Sequence, residues 1–122
     1  MLLQRTTAKE QSRRLIAAEL PEGFVCKHGL VVVENHLNMI RPLNGAPKVS
    51  PATVAALLNS DIVDHAFRCI SGSVAVSAFE LEALPLPCLE QARALESLLA
   101  RGAKPATIER AIRVMYLGER LS

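Results

Sequence analysis

Three short stretches carry the side chains that could do chemistry. Glu34-Asn35-His36 is the densest polar cluster, and it falls where a strand should be burying itself. On a strand, Glu34 and His36 face one side and Asn35 the other. Asn and His can donate to a phosphate or read a base edge. The bland alternative is an edge strand with one solvated face. Glu34 and His36 could also begin a small hydrolase site, but no nucleophile accompanies them. Arg5-Thr6-Thr7 and Arg13-Arg14 bracket the first loop. Charged forks and hydroxyl donors suit phosphate contact, and a hairpin would bring both groups near one loop. A charged turn keeping an edge strand soluble explains them as well.

Other chemistry is missing. The six glycines never occur as Gly-x-Gly, so there is neither a phosphate-binding loop nor a dinucleotide fingerprint, and no cofactor is expected. Neither Gly-x-Ser-x-Gly nor His-Glu-x-x-His is present. Cys26-x-His28 could be half of a zinc site, but no second close pair follows, so no metal is expected. With Cys69 and Cys88 the cysteines number three, which suits free, buried thiols in a reducing cytoplasm. His28 in a turn and His65 on a helix flank read as solvent-exposed. No basic region followed by an apolar stretch opens the chain, so a cytoplasmic location is expected.

The elements that must position these residues follow from composition and pattern. The 122 residues suit one small domain, and half of them are apolar before glycine is counted. Charged residues are 21% and mean hydropathy is +0.24, which excludes disorder for the chain as a whole. Aromatics are only Phe24, Phe67, Phe79 and Tyr116, so stacking platforms for single-stranded nucleic acid are excluded. Residues 1–48 hold seven Lys/Arg against four Glu, and residues 49–122 hold seven against eight acids. The basic excess therefore lies in the first half, where a polyanion would be met, although a solvated surface accounts for so small a margin too.

Leu2 to Thr7 and Arg13 to Leu20 read as two strands around a five-residue loop, with a helix from Lys9 to Leu20 as the alternative. Phe24 to Lys27 and Leu30 to Val33, around His28-Gly29, read as a hairpin whose second arm runs on to Leu37. Asn44-Gly45 is a further turn. After Lys48 the period becomes helical. Ser50-Pro51 opens a helix through Leu58, and Ser60 caps Asp61 to Ile70. Ser77-x-x-Glu80 is a capping box for a short helix that stops before Pro85. Cys88, Ala92, Leu95 and Leu99 share one face of a helix closed by Gly102. Pro105 opens the last helix, with Ile108, Ala111, Ile112 and Met115 inward. The expected class is α+β: small antiparallel hairpins, then a helical half. Residues 1–87 form the first module; 88–122 form a helical hairpin packed on it.

Leu3-Gln4-Arg5-Thr6-Thr7 with Arg13-Arg14-Leu15, then Val33-Glu34-Asn35-His36-Leu37-Asn38, then Leu57-Leu58-Asn59-Ser60 give an ordered series. It continues with Phe67-Arg68, Gly72-Ser73, Ser77, Glu80-Leu81 and Leu84-Pro85-Leu86-Pro87. In this order they resemble the C-terminal target-recognition region of adenine-specific DNA methyltransferases from bacterial restriction-modification systems. The specificity subunits of multisubunit restriction enzymes carry a similar pattern. The family's S-adenosylmethionine loop and its Asn-Pro-Pro-Tyr or Asp-Pro-Pro-Tyr motif are both missing, since no two prolines are adjacent. The resemblance therefore implies a recognition module that binds double-stranded DNA beside a catalytic methyltransferase domain or subunit, and is not an enzyme by itself. It is either a truncated fragment or a separately encoded piece.

Together with the phosphate donors, the resemblance places DNA contacts on Arg5, Thr6, Thr7, Arg13, Arg14, Asn35 and His36, with Arg68 and Ser73 beside them. The rival reading is a protein-interaction module in which the helical pair docks and DNA is never touched. The apolar stripes of the last two helices, with Tyr116, Leu117 and Leu121 as a second edge, imply a homodimer through those helices.

Overall fold

A computed structural model describes residues 1–118. The class is α+β: a three-stranded antiparallel sheet near the N-terminus, followed by helices. The strands are β1 (Leu2–Gln4), β2 (Ala17–Ala18) and β3 (Leu37–Met39), in the order β2-β1-β3. Leu2 faces Ala18 and Met39; Gln4 faces Leu37. Alternation along β1 buries Leu3 and turns Leu2 and Gln4 outward. Backbone pairing extends beyond the strand ends, from Arg5 N to the His36 carbonyl (2.8 Å) and from Ile40 N to the Met1 carbonyl (2.9 Å).

The two expected N-terminal strands are present only at their far halves. Between them, Ala8 to Gln11 forms a turn, and the chain then docks on a helix instead of pairing. β2 is short, and its outer edge is satisfied by one side chain. Asn59 donates through Nδ2 to the Ala17 carbonyl and accepts the Ala17 N–H on Oδ1, both at 2.8 Å. That is what a neighbouring strand would supply.

The hairpin expected at Phe24 to Val33 does not form. Residues Glu22–His28 are a helix, α1, and Gly29 closes it at φ 72° by donating to the Val25 carbonyl (2.8 Å). Glu22 in the first turn and Lys27 and His28 in the last suit the helix dipole. Phe24 and His28 stack at one-turn spacing, ring centroids 4.5 Å apart. β-prone residues form a strand only where another strand pairs with them, and residues 24–33 join none. Gly29 therefore acts as a helix stop, not a hairpin turn. No residue of α1 is buried.

The helical half shows the expected series of helices: α2 (Pro51–Leu58), α3 (Asp61–Ile70), α4 (Ala78–Glu82), α5 (Leu89–Ala100) and α6 (Pro105–Leu117), the last closed by Gly118 before the Leu121 edge expected on it. Ser50 Oγ accepts from Thr53 N at 3.2 Å, and Ser77 Oγ from Glu80 N at 3.1 Å. Ser60 begins α3 differently. Its hydroxyl donates to Glu109 of α6 (3.0 Å), and the same carboxylate accepts from Asp61 N (3.2 Å). Glu96 of α5 likewise accepts from Ser50 N and from the Thr53 hydroxyl at the start of α2. That Ser50 N–H is the main reason the Glu96 carboxyl is held below the ordinary glutamate range. Two carboxylates on α5 and α6 thus cap α2 and α3.

One core joins sheet and helices: Leu3, Leu15 and Ala17 pack with Leu57, Leu58, Val63, Phe67, Val76, Leu84, Leu95, Ile108 and Ile112. The stripes of α5 and α6 face this core, with Leu98, Leu99, Met115 and Tyr116 packed against it. Only Leu89 and Leu117 remain as large exposed apolar side chains on these two helices, and Leu121 lies outside the described residues. The cysteines are free but exposed, not buried. Cys88 begins α5 instead of lying on its inner face, and Cys26 and Cys69 lie on exposed helix positions. Among the described residues no helix is long and apolar enough to cross a membrane.

Candidate nucleic-acid interface

β1 continues past Gln4 as a segment that pairs with two others. Arg5 N donates to His36, while the Arg5 carbonyl accepts from Val76 N at 2.7 Å and Thr6 bridges Ala75. The sequence distance is large, but these backbone pairs bring Arg5, Thr6, Asn35, His36 and Ser73 onto one end of the sheet. All five are exposed. The Arg5 guanidinium reaches the Asn35 carbonyl at 3.4 Å, a long contact that leaves most of its donors to solvent. Ser73 Oγ accepts from Ala75 N (3.1 Å), which shapes the loop beside Thr6.

His36 is oriented by Glu34. One Glu34 carboxylate oxygen bonds ring Nδ1, and the other accepts from the His36 backbone N–H at 3.2 Å. The side chains of His36 and Glu34 are 68% and 62% exposed, so the ring presents Nε2 outward. A protonated ring would donate from Nε2; a neutral ring with its proton on Nδ1 would accept there. Next to this pair, Leu2, Gln4, Thr6, Ile16 and Leu37 line an open groove of about 520 Å³ on the outer sheet face. Gln4 was not among the expected site residues. The signal was available, since alternation puts Gln4 on the face of Thr6.

The remaining expected contacts are held elsewhere. Thr7 is buried, and its hydroxyl donates to the Val74 carbonyl, so it fastens the 73–76 loop and offers no donor outward. Arg13 is a strut between the first loop and the α2–α3 junction. It bonds Asp61 at 2.5 Å, the Asn59 carbonyl at 2.6 Å and the Leu15 carbonyl at 3.2 Å. Arg14 turns back to the carbonyls of Gln11 (3.0 Å) and Arg13 (3.3 Å). Buried Asp64 on α3 accepts from both Arg14 N (2.8 Å) and Leu15 N (2.7 Å) and so fixes this segment. Arg68 is exposed on α3, one turn beyond Asp64. Asp64 and Asn59 escaped the sequence reading because a polar helix residue reads as solvent-facing until its distant backbone partner is known.

Among the described residues no three metal-ligating side chains gather, around Cys26 and His28 or elsewhere. The exposed Arg, Asn, His, Thr and Ser groups can donate to anionic oxygens or meet base edges. No protein-family model matches the chain, and no solved structure matches it. Over 93 residues the chain is 35% identical to the type II methyltransferase M.PstI of Providencia stuartii. The match covers 75% of this chain but only 18% of that protein. The chain is thus related to a methyltransferase over three quarters of its length and corresponds to a small part of it.

Proposed function

We propose that the chain is the DNA target-recognition part of an adenine-specific DNA methyltransferase of a bacterial restriction-modification system, and that catalysis resides in a separate domain or subunit. The observation that carries this reading is the similarity to a type II methyltransferase over most of this chain and a small part of that protein. The exposed cluster of Arg5, Thr6, Asn35, His36 and Ser73 supports it, because such donors on a sheet end can meet phosphates and base edges. Arg13, Arg14 and Thr7 then act indirectly by holding the loops that carry this surface, and Arg68 on α3 is a further exposed cation. Alone, the chain transfers no methyl group and binds no S-adenosylmethionine.

A titration of the 122-residue chain with heterogeneous duplex DNA at several salt concentrations tests the reading. Binding should weaken linearly on logarithmic axes, because each phosphate contact releases counterions. Calorimetry with S-adenosylmethionine should give no heat. Micromolar cofactor binding, or no duplex binding at low salt, would sink the proposal.

A protein-docking reading has one observation in its favour. Phe24, Val25, Leu30 and Val32 are exposed on and just after α1. In the present reading this surface meets the catalytic domain. Association that ignores salt and DNA would favour docking alone.

A further inference from the structure

The opposite end of β3 carries a second basic feature that no sequence motif marked. Past Ile40 the chain enters a loop, residues 41–48, whose residues are all exposed. Arg41 and Lys48 stand at its two ends, Pro42 and Pro47 stiffen it, and Gly45 turns it at φ 64°. Arg41, Pro42, Asn44, Pro47 and Lys48, with Val54 of α2, line an open cavity of about 490 Å³. Most of its wall is aliphatic, two of its side chains are cationic, and none is acidic. Glu96, the carboxylate that reaches Ser50 just past the loop, is already bonded to Ser50 and Thr53. Among the described residues neither Arg41 nor Lys48 enters an ion pair.

We propose that the 41–48 loop is a second DNA-backbone clamp, with Arg41 and Lys48 on phosphate oxygens and the proline-rich wall against deoxyribose. This rests on the DNA-binding reading above. The sheet itself supplies the reason to choose a polymer over a small anion. Backbone pairing is continuous from His36 to Ile40, so the strand is extended between the two clusters. At ~3.3 Å per residue His36 and Arg41 lie about 17 Å apart along it. That is about five base-pair steps at ~3.4 Å each, so a single duplex can meet both ends. Leu37 and Met39 alternate onto the face that also bears Leu2 and Gln4, and Arg41 follows just beyond the end of that strand.

The test compares salt titrations of a random-sequence duplex of about 25 base pairs, long enough to span both clusters, against the parent chain and two double variants. Arg41→Ala with Lys48→Ala removes the clamp; Lys9→Ala with Lys27→Ala removes the same charge from other exposed positions. Losing two phosphate contacts should flatten the log–log salt slope by about 2 and weaken binding up to about 10²-fold near 50 mM salt. The control pair should stay within about twofold, and both variants should unfold with the parent. Equal effects of the two pairs, or a parent-like slope for the clamp variant, overturn the clamp while leaving the DNA reading intact. A mononucleotide that binds the parent as tightly as the duplex makes the cavity a small-anion site and also overturns it. No duplex binding by the parent overturns both.

Discussion

Residues 50–117 and residues 19–48 are built by opposite rules. In the first, polar groups are turned to structural use: Glu96 and Glu109 cap α2 and α3, Asp64 holds the Arg14–Leu15 backbone, and Asn59 completes the edge of β2. Its aliphatic side chains meet in one core. In the second, almost everything faces solvent, including Phe24, Leu30, Val32 and Leu43, and α1 buries nothing. Apolar side chains left in water contribute no stability to this chain, whereas a surface that must meet another molecule needs them. Arg13, from the first loop, braces the α2–α3 junction, while Arg5, Arg41 and Lys48 stay outward.

Matched aromatic truncations should expose this difference most strongly. Phe67 is fully buried, so Phe67→Ala should cost about 3–5 kcal/mol in chemical denaturation. Phe24 is 46% exposed, so Phe24→Ala should stay within about 0.5 kcal/mol. Comparable losses at both positions would break the comparison. Next in size is Asp64→Ala, which strands two backbone N–H donors and should cost about 2–4 kcal/mol. Arg13→Ala loses a strut whose partner Asp61 is largely solvated, and about 1–2 kcal/mol is expected. Its DNA salt slope should change less than that of Arg5→Ala, which touches no core contact.

The smallest effect is on acid sensitivity. Glu96 is held below the usual range mainly by the Ser50 N–H, and Glu80 by the Ser71 and then the Ser77 hydroxyls. A carboxyl with a lowered folded value adds stability that is complete above the unfolded value, about 4.3, and disappears as pH falls through the folded one. Thermal stability should therefore drop below about pH 4.5, and less steeply in Glu96→Gln. An unchanged acid limb in that variant would count against the cap.

The helical half was legible because its signals are local. Ser50-Pro51, Ser77-x-x-Glu80 and Pro105 set boundaries that the structure keeps, since caps and proline act within one turn. The α+β class followed from the change of period after Lys48. The Phe24–Val33 hairpin failed for a non-local reason. Whether Val31 and Val32 pair depends on a partner strand distant in sequence, and neither residue joins the three-stranded sheet. The candidate site was legible in part. Arg5 and His36 could be singled out by type, but the backbone pairs that join them to Thr6 and Ser73 span up to about 70 residues. Thr7 and Arg13 show the converse error, because a donor in sequence becomes a brace once its partner is in reach.

The central claim is that the end of the sheet and the loops beside it meet duplex DNA while the helical half supports them from behind. Amide hydrogen exchange with and without duplex reads this directly, segment by segment. Slower exchange on DNA addition is predicted for residues 4–7, 34–48 and 73–76, with α5 and α6 unchanged. Protection confined to α5 and α6, or no segment protected at saturating DNA, would contradict the account.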